Sequence, residues 1–435
     1  MNSIYLSLKN SLKSLLSVSI LNILRLIRRK LTYMLFNFKY CKIQNNYKTI
    51  IKKLKKKEKI KVAFFVVQCG VWKCDKIYSK FLKDNRFNPV IVIVPYIPAG
   101  KEIMIRDMKQ AYDYFNNQNY KVIKTYDEIN DTWLDVKKAI NPDIVFFTNP
   151  YLGLTKDEYY IYNWLDTLTF YVSYFYSSGS HDEVFHNHPV QNMVWRYFCE
   201  YESKKEEIAK VAYSKARNVI YTGYPGLDDL LFYTPTRNKR KKIIWAPHHS
   251  IMELPGCEQS NFLQYSDFML DITKKYPDID FIFKPHPLLI NRLYNHESWG
   301  KTKANEYYKE WERQPNTSIE LGDYITLFHE SDAMIHDCGS FINEYLAVNK
   351  PCMYCIKNQN SWDNLSEKTH EMFDKCYYLA YKKKDIIDFI ENVVIKEHDH
   401  KKNSRTQYIK ENLLPPNGLT ASENIFYYIK NAVTE

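Results

Sequence analysis

Short, almost wholly apolar runs punctuate the chain from residue 61 onward. They fall at 61–67, 89–94, 143–148, 170–175 and 218–223. Runs of this length without apolar–polar alternation predict strands buried on both faces. Between them lie longer amphipathic or polar stretches, such as 101–117 and 131–140, whose spacing predicts helices. A polar, basic break at 233–242 interrupts the pattern, which then restarts. The second series predicts strands at 243–246, 280–284, 332–336 and 352–356. It predicts helices at 259–275, 304–313 and 340–348. Strand and helix alternating twice over predicts two doubly wound α/β domains, each a parallel sheet covered on both faces, facing a cleft. The expected divisions are an N-terminal arm at 1–59, a first domain at 60–235, a second at 236–400 and a helical tail at 401–435.

The first 60 residues follow another rhythm. Leu8, Leu12, Leu15, Leu16, Ile20, Ile23, Leu24 and Ile27 recur at spacings of three and four, interrupted by Lys9, Lys13, Arg25, Arg28, Arg29 and Lys30. The uncharged run 14–24 is shorter than the roughly 20 residues that span a bilayer. No small-residue cleavage site follows it, which argues against a signal peptide. The pattern predicts a basic amphipathic helix lying in the plane of a membrane surface. A second basic stretch, 52–57, would add attraction to acidic lipids.

Charge sharpens this division. The formal net charge is +11, yet residues 1–61 hold 16 of the 61 Lys and Arg and only one acid, Glu58. The body is therefore slightly acidic, which argues against a nucleic-acid groove on the folded domains. The nine cysteines are scattered, which favours a reducing compartment over a disulfide framework. The single C-x-x-C, Cys352 to Cys355, lies in a strand-like run that would point its thiols to opposite faces, so it reads as structural.

The chemistry-bearing residues cluster at predicted strand ends, where open α/β sheets bind ligands. Lys284-Pro285-His286-Pro287 places a cation and a histidine on a backbone stiffened by two prolines. Asp337-Cys338-Gly339-Ser340 leads from a strand into a helix. There backbone N–H groups, the helix dipole and the Ser340 hydroxyl suit a phosphate, and Glu344 suits ribose hydroxyls. Pro247-His248-His249-Ser250 ends a third strand, and it reads as lining the cleft rather than holding zinc. His181, with His186 and His188 beyond it, follows the strand at 170–175 and offers a general base. No G-x-G-x-x-G or P-loop pattern occurs, which disfavours nicotinamide and P-loop chemistry.

In this order, Thr222-Gly223-Tyr224-Pro225 with Asp228, Trp245-Ala246-Pro247, Lys284-Pro285-His286-Pro287, Gly322-Asp323-Tyr324, Ser331-Asp332, Asp337-Cys338-Gly339-Ser340 and Lys350-Pro351 resemble the CDP-glycerol glycerophosphotransferases, which build teichoic-acid-like polymers. The resemblance covers about residues 215–356. It implies a GT-B arrangement of two Rossmann-like domains, with the donor held mainly by the second. It also implies peripheral attachment at the cytoplasmic membrane face. The family's first domain carries Trp-His-Gly, whose histidine is taken as the base; here that position reads Ser178-Gly179, with His181 as substitute.

The expected function is transfer of an alditol phosphate from a CDP-activated donor to a hydroxyl of a glycan or lipid-linked acceptor, releasing CMP. The same diphosphate site would serve a GT-B glycosyltransferase using a nucleotide sugar, or a nucleotide-binding protein without turnover. The catalytic candidates are His181, His286 and His186. The donor-binding candidates are Lys284, His286, Pro247, His248, Asp337, Gly339, Ser340 and Glu344. No cofactor or metal is expected to be essential, although a divalent ion is compatible. The expected partners are the donor, the acceptor and an anionic membrane surface, and not nucleic acid.

Overall fold

The computed structural model describes residues 18–176, 185–232, 240–251, 260–322, 324–363 and 365–434, with side chains described from residue 33. Two parallel sheets organise the chain. The first contains β1 (Ile60–Val66), β2 (Phe87–Ile93), β3 (Val122–Lys124), β4 (Ile144–Phe147), β5 (Leu168–Val172), β6 (Arg196–Cys199) and β7 (Val219–Tyr221). Their spatial order is β3-β2-β1-β4-β5-β6-β7. The second contains β8 (Lys241–Ala246), β9 (Ile279–Phe283), β10 (Thr317–Ile319), β11 (Ala333–His336), β12 (Cys352–Cys355) and β13 (Tyr378–Ala380), in the order β10-β9-β8-β11-β12-β13. Every pairing in both sheets is parallel. Each sheet therefore reverses direction once, between β1 and β4 and between β8 and β11. Those are the crevices where doubly wound sheets receive ligands.

The long apolar runs became central strands because both of their faces are covered. In β1, Val62 through Val66 are all buried. Four strands were not anticipated: β3, β6, β10 and β13. All are three or four residues long and contain partly exposed residues, so they carry little periodic signal. The stretch 131–140, expected to be helical, instead gives one strand of a small antiparallel ribbon and a four-residue helix. Cys352 and Cys355 do face opposite ways, packing into separate apolar clusters on the two sides of β12.

The N-terminal helix α1 (Val18–Leu54) is partly an arm and partly core. Tyr40, Ile43, Tyr47 and Leu54 form one buried face. The Tyr47 hydroxyl shares a hydrogen bond with the Thr169 hydroxyl and donates to the Met193 carbonyl. Met34, Leu35 and Phe38 stand exposed beside the exposed Lys39 and Lys42. Residues 1–17 lie outside the described residues. No helix among the described residues is long and apolar enough to cross a membrane.

Further helices that matter for the site are α2 (Asp75–Lys83), α3 (Lys101–Asn117), α4 (Phe262–Lys275), α5 (Ile325–Glu330), α6 (Phe341–Ala347) and α7 (Ala421–Thr434). The C-terminal helix α7 returns across the molecule to the first sheet, packing against α2 and α1. Ile425, Phe426, Ile429 and Val433 join the first core. Burying each such side chain contributes about 1.5–3 kcal/mol. Arg86 fastens the two terminal helices together, donating to the carbonyls of Leu54, Lys55 and Val433.

Candidate functional site

The carboxyl ends of β8, β9 and β11 meet at the crevice of the second sheet. Past β8 the chain runs Pro247-His248-His249, and past β9 it runs Lys284-Pro285-His286. The His286 N–H donates to the Pro247 carbonyl at 3.1 Å, which ties the two loops together. His248, His249 and His286 consequently cluster, their rings tilted or edge-on to one another with centroids 4.2–5.2 Å apart. All three are half-buried.

Hydrogen bonds decide what these rings present to a ligand. The Leu288 N–H donates to His286 Nδ1 at 3.1 Å, and the Ser250 N–H donates to His248 Nδ1 at 3.3 Å. A neutral imidazole whose Nδ1 accepts must carry its proton on Nε2. Two of the three rings thus offer N–H donors. One nitrogen from each ring lies within 4.8 Å of the others, a spacing that a metal ion could also use. A metal, however, requires lone pairs, and the Nε2 atoms of His248 and His286 carry hydrogens. The geometry favours an anion.

Burial holds the cluster neutral. It pushes His248 down to about 3 and His286 to about 4, and it also lowers His249; the neighbouring histidines add to the effect at His248 and His286. Buried His186 and His336 are likewise pushed down to about 3, mainly by desolvation. An unfolded chain protonates its histidines near 6.5 and so binds more protons than the folded one from there down to about 3. Stability therefore falls as pH drops through that window, by up to about 1.4 kcal/mol per pH unit for each such histidine. Asp337, raised to about 6 by burial, and Asp228, also raised by burial, oppose this. We expect thermal melts to show a loss of several kcal/mol between pH 6.5 and 5. A melting temperature unchanged down to pH 5 would contradict the buried neutral cluster.

The other candidates take more varied places. Asp337 is buried, and its carboxylate accepts from the His248 N–H at 2.7 Å and from the Asn261 N–H. It fixes the loop that carries His248 and has little left for a ligand. Asn261, absent from the sequence-based set, also bonds the Cys355 carbonyl, which locks α4 against the crevice. It stands in a polar stretch with no periodic signal. Lys284 is buried and donates to the Gly322 carbonyl at 2.8 Å, steadying the loop before α5. Gly339 and Ser340 lead into α6, whose first turn contains Glu344. Glu344 is engaged across the cleft, 3.1 Å from Lys73 of the first domain. Lys73 was missed, although its position just past the end of β1 follows the strand-end rule.

The histidines of the first domain divide. His181 lies outside the described residues. His186 is buried, with Nδ1 3.3 Å from the Tyr197 hydroxyl, an enclosed position suited to packing. His188 is half-buried, its ring edge-on to Tyr151. At the crevice of the first sheet, between the ends of β1 and β4, lies a small cavity of about 20 Å³, lined by residues including Val67, Asn149, Tyr151 and Tyr159.

Several motif residues are structural. Lys350 Nζ donates to the carbonyls of Phe328, His329 and Ser331, capping the carboxyl end of α5. Asp228 accepts from the N–H groups of Ala421 and Ser422 at 2.8 and 3.0 Å, so it caps α7 from nearly 200 residues away.

Two facing doubly wound domains, with polar loops at the switch point of the second, define a GT-B-type architecture. Residues 176–431 match the family model for CDP-glycerol:poly(glycerophosphate) glycerophosphotransferase, and the chain belongs to that family of transferases. No curated protein matches the chain. Among solved structures, a variant of the wall teichoic acid polymerase TagF superposes with a TM-score of 0.55 at 13% identity, covering 94% of this chain and 98% of that one. The UDP-GlcNAc 2-epimerase of Neisseria meningitidis, bound to UDP-GlcNAc, gives 0.53 at 13% identity, over 87% and 100%. MnaA of S. aureus with UDP gives 0.51 at 14% identity, over 87% and 98%. At these identities the likeness establishes the fold.

Proposed function

We propose that this chain transfers glycerol phosphate, or a related alditol phosphate, from a CDP-activated donor to a hydroxyl of a cell-surface glycan or lipid-linked acceptor. The observation that carries this reading is the convergence of His248, His249 and His286 at the switch point of the second sheet, in a member of a glycerophosphotransferase family. The acceptor oxygen attacks the phosphorus that bears the alditol. The bridging P–O bond breaks, and CMP leaves. Neutral N–H donors fixed in place stabilise charge gathering on the phosphate oxygens and need no reorganisation during the step. The acceptor enters from the side of the first domain. His181 is the first candidate to take its proton, and His188 the next.

The exposed Met34, Leu35 and Phe38, flanked by Lys39 and Lys42, support peripheral attachment to the cytoplasmic face of an acidic membrane. One experiment tests both parts. The full chain is incubated with CDP-glycerol, other CDP-alditols and nucleotide sugars, with and without vesicles containing acidic lipid. CMP should appear from a CDP-alditol, and the protein should sediment with acidic vesicles but not neutral ones. Release of a nucleoside diphosphate from a nucleotide sugar would instead identify a glycosyltransferase.

A further inference from the structure

We infer that Lys73, contributed by the first domain, is a positioning residue of the donor site: it holds Glu344 of the second domain in place for the donor's ribose. The inference rests on the nucleotide-donor reading above. Lys73 lies one turn past β1, beyond Cys69–Val71, and its side chain crosses between the domains. Its Nζ donates to Glu344 Oε1 at 3.1 Å and to the Tyr324 hydroxyl at 2.8 Å, and it sits 5.3 Å from the centre of the Tyr324 ring. The two charged side chains are only 14% and 9% exposed. Burying such a pair is costly, and apolar residues of similar volume often hold an interface as well or better. The pair therefore calls for a reason other than cohesion.

The geometry supplies one. A carboxylate offers about four lone-pair directions, of which Lys73 occupies one and the Tyr324 hydroxyl a second. The others suit the adjacent hydroxyls of a ribose. Glu344 lies in the first turn of α6, and that helix follows directly from Asp337, the residue that holds the His248 loop. The carboxylate and the histidine donors thus belong to one linked framework. Lys73 thus aims Glu344 at the ribose.

The test uses the full chain and calorimetric titration with CDP, UDP and inorganic pyrophosphate. Lys73→Met and Glu344→Gln should each weaken CDP or UDP binding at least tenfold. The double variant should be no worse than either single one, because the two residues act as a unit. Lys73→Arg should stay within about threefold of the parent, and pyrophosphate, which lacks ribose, should bind all variants alike. Parent-like nucleotide binding by Lys73→Met, additive losses in the double variant, or equal loss of pyrophosphate binding would each overturn the inference. So would a parent chain that binds neither CDP nor UDP. A chain that binds CDP in this pattern but releases no CMP from CDP-alditols would strike only the proposed reaction.

Discussion

Replacing His286 with alanine should lower kcat for CMP release by about 100- to 1000-fold, the scale seen when one preorganised donor is removed from a developing negative charge. The two prolines and the bond to the Pro247 carbonyl belong to the backbone, so the loop should keep its course. His286→Gln is the sharper comparison. A glutamine amide reaches roughly where Nε2–H stands and can donate, but it is a poor substitute for histidine as a metal ligand. If His286 acts as a donor, His286→Gln should retain about a tenth of the activity, and chelation with EDTA should change neither protein. Loss of activity on chelation, with His286→Gln as inactive as His286→Ala, would convert the cluster into a metal site. Steady-state kinetics on CDP-glycerol, with and without EDTA, separate the two.

The largest effect on stability should come from Gly223→Val. Gly223 has φ +87°, a region that side chains with a Cβ rarely adopt, and β-branched ones least of all. A Cβ built there would stand 2.8 Å from Pro415 Cβ and 3.1 Å from Ala421 Cβ. Neither neighbour can yield easily: Pro415 is a ring, and Ala421 opens α7 under the cap of Asp228. Strain and overpacking together should cost about 3 kcal/mol or more. A urea titration should show the midpoint falling sharply. Gly223→Ala should fall between the two, since it keeps the clash but lacks the branch. A parent-like midpoint for Gly223→Val would mean that the turn relaxes freely and that α7 is not held there.

These two cases mark where sequence reading succeeds and where it stops. Gly223 belongs to a motif that carries the family resemblance. Its role became visible only once Pro415 and Ala421, almost 200 residues later, were found against it. Asp228 and Lys350 are similar: both stand in motifs that carry the family resemblance, and their bonds go to helix ends. His286 and His248 went the other way. Each was marked by its place after an apolar run, but nothing in a one-dimensional pattern could show that the Pro247 carbonyl draws the two loops together.

The sequence by itself determined the α/β class, the two-domain alternation and the central strands. A parallel strand buried on both faces must be apolar throughout, and that pattern is local. It also placed the candidate site residues at strand ends, because that is where doubly wound sheets leave their loops. Short edge strands such as β3 and β13 escaped it, since partial exposure erases periodicity. Tertiary structure alone decided the return of α7 to the first core, the tautomers of His248 and His286 and the pairing of Lys73 with Glu344. Each depends on contacts between segments far apart in the chain. The free energy of such contacts lies in burial and hydrogen-bond geometry, which no local residue pattern encodes.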